Sequence, residues 1–500
     1  MTRAVVPWIV FCIFVAYLAA AALPLPVRSG TGFDLAAFGR LPVWANGRVQ
    51  PFDSVARTGL LQIRGPVAPI DHVKAPQARP TTIDPAAWLL ELLTNPDAAD
   101  ARRVFPISNR ELLGRLQLHA ASGGTSYYAF NDLGPRAPEI HEQLQPIENM
   151  KASDRTPWQV ELIALRDRLM LYERLKNSLE PNTRLQQDAA GKPVTFDFAG
   201  ELASYQADLA DAVRVNAGRR HGSTERLDAA AEMRLRRFAA LFQVVSRTGL
   251  LAVVPPSNAT TGASNRWTNI GSVVVQSALG HQPSPAVAFL AGMSSAFAQG
   301  KADAFNSHVA GYRRWLAANG LAPNARRAAF EAFSNLLLPL VRAVVLYAIA
   351  LVLSGVARRT SSATIHRSAL MVVLLASALH ATGLLFATIL AGRPSWIALS
   401  GWAIGLAALA VKRVQHRGVG TLASAAIGLT ALVAAYGVTP GGAASLLRNA
   451  LETSLVVAIG ATVFVLSVGR ESNLAGPGAS HCEPEDRGAV ARARSASTPG

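Results

Sequence analysis

Residues 368–391 read SALMVVLLASALHATGLLFATILA, a run without a single charged side chain. At the helical rise it is long enough to cross the roughly 30 Å of bilayer hydrocarbon. Only a helix satisfies its own backbone in that medium. Further apolar runs lie on both sides, at 336–356, 394–411, 420–437 and 447–469. Another, PWIVFCIFVAYLAAAALPLP, covers residues 7–26. The expected architecture is therefore a mainly α, polytopic helical membrane protein.

Flanking charge sets the expected orientation. Arg358, Arg359 and Arg367 follow the run at 336–356, and Lys412, Arg413 and Arg417 follow the run at 394–411. Arg470 and the arginines of the C-terminal tail come after the last run. The alternate loops hold only Arg393 and Arg448. Basic loops stay in the cytoplasm, so the segment 30–335 is expected outside. Four regions follow: an N-terminal anchor or signal peptide at 1–29, a helical extracytoplasmic domain at 30–335, a five-helix membrane bundle at 336–471, and a disordered cytoplasmic tail at 472–500. The signal-peptide alternative rests on Ala20, Ala21 and Ala22, small residues that suit a cleavage site. The tail is Gly, Ala, Ser, Pro and Arg with scattered acids, too polar to pack.

Composition agrees with such a hybrid. Half the residues are hydrophobic and 16% are charged, with the charge gathered in the middle of the chain. The net charge of +16 raises the possibility of nucleic-acid binding. Its basic excess lies instead in loops and tail, with no basic stripe interleaved with aromatics, which excludes that class. The two cysteines, Cys12 and Cys482, flank a domain that has none. That domain uses no disulfide and no CxxC or CxxCH motif, and must be held by its apolar core.

Within it, helix starts are written locally. Asp84-Pro85 precedes Trp88, Leu89, Leu92 and Leu93. Thr156-Pro157 opens a stretch reaching Glu180, and Ser284-Pro285 opens one reaching Gly300. Each pairs a capping side chain with a first-turn proline. Residues 223–251 place Leu227, Met233, Phe238, Leu241 and Phe242 at helical spacing. Segments 181–198 and 254–272 read as loops.

Chemistry-bearing motifs are few. There is no HExxH, no paired cysteine and no histidine pair at helical spacing, hence no metal-ligand signature. No GxSxG and no phosphate-binding glycine loop occurs. What remains is Leu41-Pro42-Val43 followed by Gly47-Arg48-Val49-Gln50-Pro51-Phe52-Asp53-Ser54-Val55-Ala56-Arg57.

That stretch resembles LPVQDGGRVKPLDTFAR of the system II cytochrome c biogenesis proteins, the CcsA/CcsB (ResB/ResC) group. Similar blocks follow in order over nearly 1–470. They are Val104-Phe105-Pro106-Ile107 with Leu112-Leu113, then Tyr127 to Leu133. Glu331, Asn335, Pro339 and Tyr347 follow, and after them His380-Ala381-Thr382-Gly383-Leu384 and Gly392-Arg393-Pro394. The last two are similar to HTxGLxxRxxxxGRPPVTN. The chain departs from the pattern at Thr388 and at Ser395-Trp396-Ile397-Ala398. The tryptophan-rich loop WGxxWxWD is absent, and Leu455-Val456-Val457-Ala458 stands where the family's last span has a histidine.

The resemblance implies a bacterial inner-membrane protein of c-type cytochrome maturation that handles haem on the extracytoplasmic side. It implies a partner carrying the tryptophan-rich loop, with apocytochrome c reached only through that partner, and no catalytic residue in this chain alone. The alternative is a truncated paralogue with a structural role and no haem. His380, a polar ring in an apolar helix, needs a partner, either a haem iron or a neighbouring helix. Arg48 and Arg57 either meet propionates or a partner's acids, or fix a turn and a helix start. Asp53 suits a helix N-cap. Arg393 follows the apolar run, where snorkelling is the other explanation.

Overall fold

The computed structural model describes residues 7–9, 11–16, 19, 32–65, 83–119, 125–181, 196–221, 224–256, 266–281, 284–392, 395–410 and 419–438. Among these the protein is mainly α. The order begins α1 (Leu35–Gly39), β1 (Pro42–Ala45), β2 (Arg48–Pro51), α2 (Phe52–Arg64), α3 (Pro85–Thr94), α4 (Pro96–Asp100) and β3 (Arg103–Ile107). It continues with α5 (Arg110–Arg115), β4 (Ser126–Ala129), α6 (Phe130–Leu133), α7 (Ala137–Glu148), α8 (Pro157–Lys176) and α9 (Phe198–Arg220). Then come α10 (Ala229–Thr248), α11 (Ile270–Ala278), α12 (Pro285–Ala298), α13 (Ala302–Ala318) and α14 (Ala322–Leu337). Last are α15 (Pro339–Thr360), α16 (Ala363–Ala391), α17 (Trp396–Ala410) and α18 (Val419–Val438).

The proline-led helices start where the sequence places them. Asp84 Oδ1 accepts from the amides of Ala86 and Ala87 at 2.8 and 3.2 Å. Gln159 Oε1 accepts from the Thr156 amide at 2.8 Å, the returning arm of a capping box. Helix ends differ from the expectation. The stretch expected to reach Glu180 stops at Lys176, after which Ser178 Oγ donates back to the Arg174 carbonyl at 2.7 Å. The run expected to reach Gly300 stops at Ala298, and the run at 223–251 contracts to α10.

Two small antiparallel sheets sit within the mainly helical segment 30–335. In the first, Pro42 pairs with Pro51 and Ala45 with Arg48. Asn46 and Gly47 close it at φ 52° and 79°, the left-handed pair a tight hairpin demands. In the second, Arg103 pairs with Ala129 and Ile107 with Ser126.

Two separate apolar cores form. The first runs from Phe33 to Leu321 and centres on Trp88, Phe105 and Tyr172. An ion pair is sealed inside it. Lys176 Nζ lies 3.2 Å from Asp100 Oδ2, and Tyr172 Oη donates to Asp100 Oδ1 at 2.8 Å. The lysine also sits 4.1 Å above the Phe130 ring. Neither charge reaches solvent, with side chains 4% and 0% exposed.

At the edge of this core α12 holds two carboxylates through adjacent serines. Ser294 Oγ donates to Glu180 Oε2 at 2.7 Å, and Ser295 Oγ to Asp197 Oδ1 at 2.6 Å. Burial pushes Glu180 up to about 8, Ser294 opposes that, and the charge of Asp197 adds to it. The folded chain therefore holds a proton that the unfolded chain has released between the ordinary value of 4.5 and about 8. Stability from this site is full below that window and falls as pH rises through it. Thermal midpoints measured from pH 5 to 9 should drop on the alkaline side, and Glu180→Gln should flatten that drop. An unchanged slope in the variant would remove Glu180 as its source.

The second core runs from Ala343 to Val433. The continuous pair α14–α15, residues Ala322–Thr360, and α16 over Ala363–Leu390 are long and apolar enough to cross a membrane. Residues Pro7–Ala16, α17 and Gly420–Ala434 form shorter apolar helices. The expected run at 447–469, the tail at 472–500 and Arg393 lie outside the described residues.

The two cores meet without a linker. Leu338 takes a left-handed conformation, φ 44° and ψ 54°, between the last turn of α14 and Pro339. Its amide donates to the Ser334 carbonyl at 2.9 Å, and its carbonyl accepts from the Arg342 amide at 3.0 Å. The helices α14 and α15 then run antiparallel to α16. Arg327 Nη2 donates to the Leu390 carbonyl at 2.7 Å. Phe330 packs on Phe386 with centroids 4.7 Å apart, and Gly383 lies against Leu340.

Candidate functional site

The residues singled out in the sequence gather into two clusters. The first lies where the β1–β2 hairpin and α2 meet α14. Arg48 opens β2 immediately after the turn, so its side chain reaches across to α14. Its Nη1 and Nη2 donate to Glu331 Oε2 and Oε1 at 2.5 and 2.8 Å, a two-pronged pairing. Glu331 is 5% exposed at its side chain, whereas Arg48 is 44% exposed. The hydrogen bond to Glu331 raises the Arg48 pKa further, against partial burial.

The first turn of α2 completes the cluster. Ser54 Oγ donates to Glu331 Oε1 at 2.6 Å. Asn335, one turn beyond Glu331, donates to Ser54 Oγ at 2.8 Å and to Asp53 Oδ2 at 2.9 Å. Arg57 Nε donates to the same Asp53 carboxylate at 2.9 and 3.0 Å, one turn along α2. Asp53 is thus no N-cap. Pro51 occupies that position with no side-chain bond, and Asp53 sits in the first turn, where a carboxylate also suits the helix dipole.

This network binds the two ends of the domain, some 280 residues apart in sequence. Its chemistry is that of a clamp. The guanidinium groups of Arg48 and Arg57 are each engaged by an acid of this chain.

The second cluster is His380 with Tyr347. Both are buried, at 0% and 2% exposure. Tyr347 Oη lies 3.5 Å from His380 Nδ1, and the rings meet edge to face at 6.0 Å between centroids. The Ala398 backbone of α17 lies beside the imidazole. Gly428 of α18 lies against the Tyr347 ring, where a Cβ would stand 2.5 Å from Cζ. A larger residue there would push the tyrosine off the histidine. Nearby, Trp402 Nε1 donates to the Ser377 carbonyl at 3.1 Å, fastening α17 to α16.

His380 Nε2 is buried and has no hydrogen-bond partner among the described residues. A buried nitrogen left without a partner is costly and calls for a ligand or a group yet to close on it. On that observation the donor atom suits an axial ligand to haem iron. Arg48 and Arg57 are paired with Glu331 and Asp53, with their side chains 44% and 40% exposed. Among the described residues no three His, Cys, Asp or Glu side chains gather as a metal site.

Glu331, Asn335 and Tyr347 stand out in the sequence without their contacts, and Ser54 does not stand out there. The Asn46-Gly47 dipeptide was the available signal for the hairpin that carries Arg48 to Glu331. No family model and no curated protein matches this chain.

Proposed function

We propose that this protein is a polytopic membrane component of c-type cytochrome maturation, set in the bacterial inner membrane with residues 30–335 on the extracytoplasmic side. It handles haem as cargo, together with a membrane partner that carries a tryptophan-rich loop, and reaches apocytochrome c only through that partner. One observation carries the reading. The blocks quoted for the resemblance assemble in pairs: Arg48, Asp53 and Ser54 with Glu331 and Asn335, and Tyr347 with His380. Residue types that match a family's pattern at distant positions here depend on one another physically. In this reading His380 would hold the iron through Nε2, the buried nitrogen that lacks a partner among the described residues.

A second reading is an interaction protein that keeps the fold and binds no haem. The engagement of Arg48 and Arg57 by carboxylates and the tyrosine beside Nδ1 favour it.

The absorption spectrum of the detergent-solubilised protein separates the two. A Soret band is expected, and His380→Ala is expected to lower haem occupancy severalfold or shift the band. A protein without the band leaves the interaction reading standing. Orientation has its own check. A reporter active only outside the cytoplasm should work when fused at Gly262 and be silent after Arg413, because the arginine-rich loops stay inside. The reverse pattern would overturn the arrangement.

A further inference from the structure

Between the end of α13 and the start of α14 lies an open-mouthed cavity of about 480 Å³. Arg313 and Arg314 of α13, Arg326 of α14 and Arg40 at the end of α1 line it, and Ala317 and Ala325 form part of its walls. None of the four guanidinium groups has a hydrogen bond or ion pair among the described residues, and no acid lines the cavity. Elsewhere in the same domain arginines do find acids: Arg48 with Glu331, Arg102 with Glu91, Arg234 with Asp208. Four cations lining one cavity with no counter-charge among its walls give it a positive potential that favours an anion. The guanidinium fork matches phosphate oxygens two at a time.

Its position narrows the source. Arg326 is the neighbour of Arg327, whose guanidinium caps the Leu390 carbonyl at the end of α16. The cavity therefore opens within about a turn of the end of an apolar helix long enough to cross a bilayer. That is the height of phosphate headgroups. The anion preference stands on the cavity alone, and its assignment to a lipid rests on the membrane reading above.

We propose that this arginine cavity binds a phosphate group, supplied by an anionic phospholipid headgroup or by free phosphate. Two arms distinguish the sources, both with the full-length protein. One titrates inorganic phosphate into the detergent-solubilised protein by calorimetry. The other counts retained lipid by native mass spectrometry after release from nanodiscs of phosphatidylcholine with or without phosphatidylglycerol. Saturable binding in either arm is expected, weakening with salt, and about tenfold weaker in Arg313→Gln and Arg326→Gln, each of which removes charge-assisted bonds. Both side chains are exposed and lack partners, so the variants should fold as the parent does. Arg110→Gln, an exposed arginine of α5, serves as the unaffected control. Retention of phosphatidylglycerol identifies the headgroup, and binding of inorganic phosphate alone identifies the free anion. A protein outside the membrane would lose the lipid arm and keep the phosphate arm. Binding absent from both arms, or equal in parent and variants, would overturn the site.

Discussion

Asp100→Ala should lose about 3–5 kcal/mol of folding stability, the usual cost of stranding one charge of a buried pair. The variant leaves Lys176 enclosed among Tyr172 and Phe130, with no solvent path to its ammonium. It also strips the acceptor from Tyr172 Oη. The expected readout is a large fall in thermal midpoint, followed by far-ultraviolet circular dichroism, or failure to recover folded protein. Asp100→Leu combined with Lys176→Met separates burial of a lone charge from loss of packing. Removing both charges with similar volume should restore most of the midpoint, because such pairs add little net stability over an apolar core. A single variant that melts within about 1 kcal/mol of the parent would show that the pair is not sealed as described.

Glu331→Ala should cost about 2 kcal/mol, in keeping with charge-assisted hydrogen bonds lost from a buried acceptor. One carboxylate receives Arg48 twice and Ser54 once, so its removal frees the hairpin and the start of α2 together. Arg48→Ala should cost less, about 1 kcal/mol, since that side chain is half in solvent and screened. Hydrogen exchange should rise over residues 42–57 and 331–337 in the glutamate variant, with the Phe33–Leu321 core otherwise protected. Equal costs for the two variants, or no local rise in exchange, would mean the clamp does not hold these elements.

What the sequence made legible was local. Asp84, Thr156 and Ser284 mark their helices because a cap and a proline act within one turn. The helix ends are less legible, because Asn177 and Gln299 stop their helices through ordinary turns that carry no strong signal. The hairpin at 42–51 is hard to read from sequence despite its Asn46-Gly47 turn, because Pro42 and Pro51 at its ends obscure the alternation of a strand. Among the site residues, Arg48, Asp53, Glu331, Asn335, Tyr347 and His380 could be named singly. Their pairing could not, since it depends on how α14–α15 folds back along α2 and α16. The buried Asp100–Lys176 pair illustrates the same limit, as nothing near either residue reveals the other.

The left-handed leucine at position 338 gives the molecule a rigid elbow. A non-glycine residue there carries about 1 kcal/mol of conformational strain, retained because bonds on both sides fix it. The joint has no slack: α14 ends, α15 begins, and Arg342 ties the two through the carbonyls of Leu337 and Leu338. The same turn therefore sets where α14 presents Glu331 to the hairpin and where α15 presents Tyr347 to His380, so one residue's backbone conformation fixes the register of both pairings.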